Sequence, residues 1–231
     1  MFSNVSILFA YQPDNGPRDS AFEWIQRYYK TTLPNVELCI GISESKLFNR
    51  SQGLNSAAKQ ATRDIFVICD GDVIVEPASI SDAISCLKKY PWVIPFHHRK
   101  ILNLSQKNTK KLLKSKPQWP LEIKIKDFEV ETRDQNFAGK LNVITRDNYF
   151  KVGGFDERFV GYGWEDNAFA YALTTICGLP KRLDWNIYHL WHPPVPSKGN
   201  PVWEKNKILG LQYKAAVGNQ EQMFKLIRER D

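Results

Sequence analysis

Three small groups of residues carry the chemistry open to this chain. Asp70-Gly71-Asp72 follows the apolar run IFVIC at residues 65–69. Glu165-Asp166 follows a glycine-rich stretch that runs from Gly153 to Gly163. His189 and His192 are two of four histidines and stand three apart. In an extended chain, positions i and i+2 face the same side, so Asp70 and Asp72 can converge on one object. Two carboxylates that close repel unless a positive charge lies between them, and a divalent cation carrying a diphosphate meets that need. Gly71 would let a ligand approach the backbone. The same tripeptide is also a common turn signal. A carboxylate opening a rigid helix beside a cleft can remove a proton from a hydroxyl. The helix dipole favours acids at that position for purely structural reasons as well. An imidazole on a strand end or turn can complete a metal's coordination beside carboxylates, and HxxH alone also describes two ordinary histidines.

These groups need a scaffold, and hydrophobic periodicity predicts one. Strands are expected at residues 5–11, 36–42, 65–69 and 92–96, alternating with helices at 20–31, 51–62 and 80–89. This βαβαβ rhythm argues an α/β fold, doubly wound around a mostly parallel sheet with flanking helices. Open sheets of that kind bind ligands at the carboxyl ends of their strands, where Asp70 and Asp72 emerge. Residues 97–134 lose periodicity, contain Pro117 and Pro120, and read as a loop-rich insertion of the lid type. A strand at 141–145, a helix at 164–173 and a strand at 182–190 follow. Residues 203–230 read as mostly helical, interrupted at Gly210 and Gly218. A single domain is expected, with a nucleotide-binding half (1–96), the basic insertion (97–134), an acceptor and metal half (135–200) and a C-terminal helical segment (201–231).

Composition bounds the function classes. The chain has 231 residues, 42% of them hydrophobic and 25% charged, which is ordinary for a globular domain with a sizeable core. No stretch reaches the length of a membrane span, and the start lacks the basic, apolar pattern of a signal peptide. The four cysteines are widely spaced without a CxxC, which points to a reducing compartment. A cytoplasmic protein is expected. The net charge of +7 is concentrated in Lys107, Lys110, Lys111, Lys114, Lys116, Lys124 and Lys126, with only Glu122 among them in opposition. Such a run is either a solvated loop or a surface for an anionic acceptor or for membrane headgroups at the inner face. It also suggests a basic nucleic-acid-binding protein, but no matching motif is present and no nucleic-acid partner is expected.

Taken in order, the three groups resemble the metal-dependent glycosyltransferases of the GT-A fold. The likeness is to the β-1,4-galactosyltransferases, the polypeptide N-acetylgalactosaminyltransferases and the bacterial chondroitin polymerases. Asp70-Gly71-Asp72 matches their DxD motif. Asn49-Arg50-Ser51-Gln52-Gly53-Leu54-Asn55 is similar to the stretch preceding the DxD strand. Gly153-Gly154-Phe155-Asp156-Glu157, followed by Gly163-Trp164-Glu165-Asp166, looks like their GGFDE and GW-ED element, and His192 falls where they place a late metal ligand. The resemblance implies a UDP-sugar donor and Mn²⁺ or Mg²⁺ held by Asp72 and His192. Asp70 joins the metal set, touching the ribose or a metal-bound water, and His189 is the alternative ligand. It implies Asp166 as the base that activates a glycan, lipid-linked or protein acceptor, Glu165 as an orienting group, and inversion at the anomeric carbon. Donor contacts are expected from Tyr11, Gln12 and Pro13 after the first strand, Ser43 and Glu44 after the second, and Arg50, Asn55, Gly71 and Trp164. Arg18 is a lesser candidate. Without the anchor and stem of Golgi enzymes, a bacterial or viral cytoplasmic enzyme is expected. A nucleotidyltransferase shares the sheet and the cation and would be told apart by pyrophosphate release.

Overall fold

The computed structural model describes residues 2–161, 163–193 and 202–230; Tyr162, within the glycine-rich stretch above, lies outside the described residues. The strands β1 (Val5–Tyr11), β2 (Glu37–Ile42) and β3 (Ile65–Cys69) are parallel neighbours. All five residues of β3 are buried, as an inner strand covered on both faces requires. The helices α1 (Pro17–Thr32) and α2 (Arg50–Gln60) link these strands. Pro17 opens α1, its fixed φ suiting a first helical turn. The Asn49 side chain caps α2 by accepting from the Gln52 amide. α2 lies very close to the sheet: a Cβ on Gly41 of β2 would fall 1.8 Å from the Gly53 carbonyl oxygen, so only glycine is tolerated.

The strand β4 (Val73–Val75), the helix α3 (Pro77–Cys86) and the strand β5 (Trp92–Ile94) follow. After them come β6 (Ile101–Leu104), α4 (Gln106–Leu112) and β7 (Phe128–Glu131). β8 (Leu141–Thr145), α5 (Arg146–Lys151), α6 (Glu165–Ile176), β9 (Lys181–Arg182) and β10 (Ile187–His189) complete the sheets. α7 (Trp203–Ala215) and α8 (Gln220–Arg228) close the described chain. A six-stranded sheet has the order β2-β1-β3-β8-β5-β9. β8 runs against both its neighbours and the other five strands share one direction, so the sheet is mostly parallel. A four-stranded sheet has the order β4-β10-β6-β7. None of the described helices is long and apolar enough to cross a membrane.

Three segments differ from the sequence reading. Residues 97–134 contain β6, α4 and β7, and β6 is an inner strand of the second sheet. These elements are four to seven residues long, too short to register as periodicity. The expected strand at 182–190 is two strands, β9 in the first sheet and β10 in the second, because the chain crosses between sheets there. Gly218, at φ +82°, lies beyond the end of α7 as expected, but Gly210 stays inside that helix. A Cβ on Gly210 would sit 2.4 Å from Cε3 of Trp164, so the glycine makes room for an indole rather than breaking the helix.

Candidate active site

Asp70-Gly71-Asp72 is the link by which the chain leaves the first sheet, at the end of β3, and starts the second at β4. The Val73 amide donates to the Asp70 carbonyl at 3.2 Å, which makes the link a turn. The side alternation of an extended chain therefore fails here, and the two carboxylates engage different partners. Packing alone calls for glycine at position 71: a Cβ there would lie 2.9 Å from Cδ2 of Phe22.

Asp72 faces the histidines. Its Oδ2 is 3.2 Å from Nε2 of His192, and its Oδ1 is 3.4 Å from Nε2 of His189. β10 pairs with β4 so that His189 stands opposite Val73, the residue after Asp72, and the Leu190 amide donates to the Asp72 carbonyl at 2.8 Å. The ligand-capable atoms of Asp72, His189 and His192 all lie within 4.8 Å of one another. A second rank of residues orients this cluster. Asn103 of β6 donates through Nδ2 to Oε2 of Glu131 at 2.9 Å, which turns its Oδ1 towards Nδ1 of His189 at 3.0 Å. His189 thus carries its proton on Nδ1 and presents the Nε2 lone pair to Asp72, the arrangement a metal-binding histidine adopts. The Asp72 Oδ1 facing it is buried without a hydrogen-bond partner. Burial works against ionisation of Asp72, but the two imidazoles, when protonated on both nitrogens, and Lys140 outweigh it and hold the carboxyl well below its usual range. An orphaned carboxylate oxygen beside two imidazole nitrogens fits a divalent cation, and the mixed oxygen and nitrogen set suits Mn²⁺ better than Mg²⁺.

Asp70 stands outside that cluster. Arg50, at the start of α2, holds it through Nη2 at 2.7 Å and Nε at 2.9 Å. The same guanidinium reaches Oδ1 of Asp166 at 2.7 Å. Its side chain is 11% exposed and lies 5.4 Å from the Phe155 ring centre. Arg50, expected among the donor contacts, directs its charge here at two protein carboxylates. Glu165 and Asp166 open α6 after Trp164, whose left-handed φ of 76° turns the chain into the helix. Burial pushes the Asp166 carboxyl up to about 7; Arg50 opposes the rise, and Glu165 and Asp70 add to it. Burial raises Glu165 as well.

The remaining expected contacts divide. Tyr11, Gln12, Pro13, Ser43 and Glu44 gather at the same end of the sheet as Asp70, with the Ser43 amide donating to the Tyr11 carbonyl at 3.0 Å. Pro13 and Glu44 are exposed. Tyr11 donates to Oδ1 of Asp19 at 2.8 Å and stacks on Phe22, centres 4.5 Å apart. Gln12 donates to the Ser45 carbonyl at 2.9 Å. The buried Ser43 hydroxyl accepts from the Asn49 amide at 2.9 Å and so supports the start of α2. Trp164 is half-buried with its ring against Gly210. Asn55, expected among the donor contacts, bonds here within the protein. Its Nδ2 donates to the Phe155 carbonyl and to Glu157, and its Oδ1 accepts from Tyr149 and the Phe155 amide. All four hydrogen-bonding positions are used inside the protein, tying α2 to the glycine-rich loop. Sequence reasoning missed Asn103 and Glu131, which sit in the aperiodic stretch and meet the histidines only through strand pairing.

Comparison with known proteins agrees with this architecture. Residues 120–192 match the family described as the N-terminal domain of galactosyltransferase. No curated protein matches the chain. Among solved structures, glucosyl-3-phosphoglycerate synthase from Mycobacterium tuberculosis, in complex with Mg²⁺ and UDP, is 12% identical with a TM-score of 0.56, over 93% of this chain and 80% of that one. S. aureus TarS 1–349, in complex with UDP-GlcNAc, is 11% identical with a TM-score of 0.56, over 98% and 71%. The catalytic domain of Drosophila β1,4-galactosyltransferase 7, in complex with xylobiose, is 13% identical with a TM-score of 0.52, over 81% and 71%. The chain has the GT-A fold.

Proposed function

We propose that this GT-A chain is a metal-dependent, inverting glycosyltransferase that moves a sugar from a UDP-sugar to an acceptor hydroxyl. The observation that carries the reading is the cluster of Asp72, His189 and His192 with its buried, unpartnered oxygen. The UDP and UDP-GlcNAc bound to two similar structures support the choice of donor. Asp72, His189 and His192 would hold Mn²⁺ or Mg²⁺, which when bound supplies positive charge against the donor's diphosphate. Asp166 takes the acceptor's proton, its raised pKa matching a base that works near neutrality. Arg50 fixes the direction of that carboxylate and keeps Asp70 beside it. Glu165 orients the acceptor or the sugar, and Asp70 meets the ribose. A single base on the face opposite the leaving group inverts the anomeric carbon, by the geometric logic that separates inverting from retaining glycosidases.

Thermal denaturation with a panel of nucleotides tests the reading. UDP is expected to stabilise the chain only when Mn²⁺ is present, by about 3 kcal/mol at a hundredfold excess over its Kd. Equal stabilisation with and without divalent ions would overturn the metal-dependent reading. Pyrophosphate release from a nucleoside triphosphate would favour a nucleotidyltransferase instead.

The acceptor is a glycan, a lipid-linked saccharide or a protein, and the xylobiose in the Drosophila enzyme supports a glycan. The lysine segment is proposed to meet anionic headgroups. Lys107, Lys110, Lys111 and Lys114 are exposed on and just beyond α4, whose other side is buried through Thr109 and Leu112. The Thr109 hydroxyl accepts from the Trp191 amide at 2.9 Å, which fixes α4 beside the histidines. Each lysine near an anionic surface is worth about 1 kcal/mol. Changing all four to glutamine is expected to weaken co-sedimentation with phosphatidylglycerol vesicles at low salt by at least about 100-fold. Vesicle binding that is absent in the parent, or unchanged in the variant, would refute the contact.

A further inference from the structure

We propose that Arg18 couples cation binding to donor binding by holding His192 in the wrong tautomer for a metal until the cation arrives. The proposal rests on the function proposed above. Nδ1 of His192 faces two groups that make opposite demands. Nη2 of Arg18 lies 2.9 Å away and can only donate. The Pro193 carbonyl oxygen lies 2.8 Å away and can only accept. One ring nitrogen cannot serve both. When Nδ1 accepts from Arg18, the neutral ring carries its proton on Nε2 and donates it to Oδ2 of Asp72, 3.2 Å away. That proton occupies the direction a cation needs. When Nδ1 carries the proton and donates to Pro193, the Nε2 lone pair faces Asp72 and is free to bind a metal.

The two histidines differ in this respect. His189 has a single partner at Nδ1, an amide oxygen fixed by Glu131, and so keeps one tautomer. His192 is bistable. Arg18 makes no ion pair with a carboxylate among the described residues; its bonds are to Nδ1 of His192 and to the Pro193 carbonyl at 3.2 Å. A cation that selects the Nδ1–H tautomer therefore breaks the bond from Arg18 to the ring. The freed guanidinium then sits at the edge of the cluster, where the donor's diphosphate would lie, and its planar donors match phosphate oxygens. The order is cation first, then donor. The coupling is about the worth of one hydrogen bond, about 1 kcal/mol.

Arg18→Ala supplies a test with opposite signs. The variant is expected to bind Mn²⁺ alone about fivefold more tightly than the parent, the fold-change that about 1 kcal/mol implies. It is expected to bind UDP in saturating Mn²⁺ at least tenfold more weakly. Titrations by water-proton relaxation and by calorimetry read the two constants. A merely structural role for Arg18 would weaken both. Nitrogen-15 chemical shifts of His192 give a second readout: the metal-free parent is expected to show the Nε2–H tautomer, and the variant or the metal-loaded protein the Nδ1–H tautomer. Unchanged Mn²⁺ affinity, or an Nδ1–H tautomer in the metal-free parent, would overturn the Arg18 proposal alone. Mn²⁺ that binds neither protein would overturn the cation site itself.

Discussion

Asp166→Asn is expected to keep Mn²⁺-dependent UDP binding within about twofold of the parent while lowering kcat by about 10²- to 10⁴-fold, the usual share of a general base. Asparagine is nearly the same shape, and its carbonyl can still accept from Arg50. What it lacks is a lone pair basic enough to take a hydroxyl proton. In the parent, kcat/KM should climb as pH rises through about 7, where Asp166 ionises, and the variant should lose that limb. Stability gives an independent check on folding. The folded pKa of Asp166 lies above its ordinary value, so the stability it contributes is full at low pH and is lost as pH rises through about 7. At pH 8 the asparagine variant should therefore melt no lower than the parent. A variant that turns over normally at pH 7 would remove Asp166 from the role of base.

Asp72→Asn is the second large effect, and it should strike binding and turnover together. Its carboxylate is the sole anionic member of the cluster, and the opposing imidazoles are neutral donors when they ligate. Losing a residue behind a ligand costs metal affinity about 10- to 100-fold, so losing the anionic ligand should cost at least about 100-fold. The Mn²⁺-dependent part of UDP stabilisation should vanish with transfer. Retention of that stabilisation in Asp72→Asn would show that the cation is held elsewhere.

The sequence revealed the scaffold where burial alone decides structure. β1, β3 and β8 begin and end at the expected residues, because each is a mostly apolar, buried run bounded by polar or turn residues. Asp72 and the two histidines, singled out by residue type and spacing, are brought within 4.8 Å of one another by the pairing of β10 with β4. What stayed hidden depends on pairings between distant parts of the chain. Nothing local in Arg50 tells that it will clamp Asp70 and Asp166, the latter 116 residues away. Nothing in residues 97–134 announces Asn103 and Glu131 as supports for His189, since that role arises only when β6 lies beside β10. Asp-Gly-Asp could be read as strand or turn, and the change of sheet after β3 settled it as a turn. Gly210 was read as a helix break because local propensity counts the backbone and not the neighbour that needs the space.

The second sheet bears on how the molecule comes into being. Its order, β4-β10-β6-β7, is not chain order: the strand entering from Asp72 waits for β10, made far later, and β10 in turn lies beside β6. A nascent chain still short of His189 has Asp72 but neither of the two histidines that stand beside it in the finished fold. On the proposed function, manganese uptake would therefore report during synthesis or refolding that β10 has found its place beside β4 and β6.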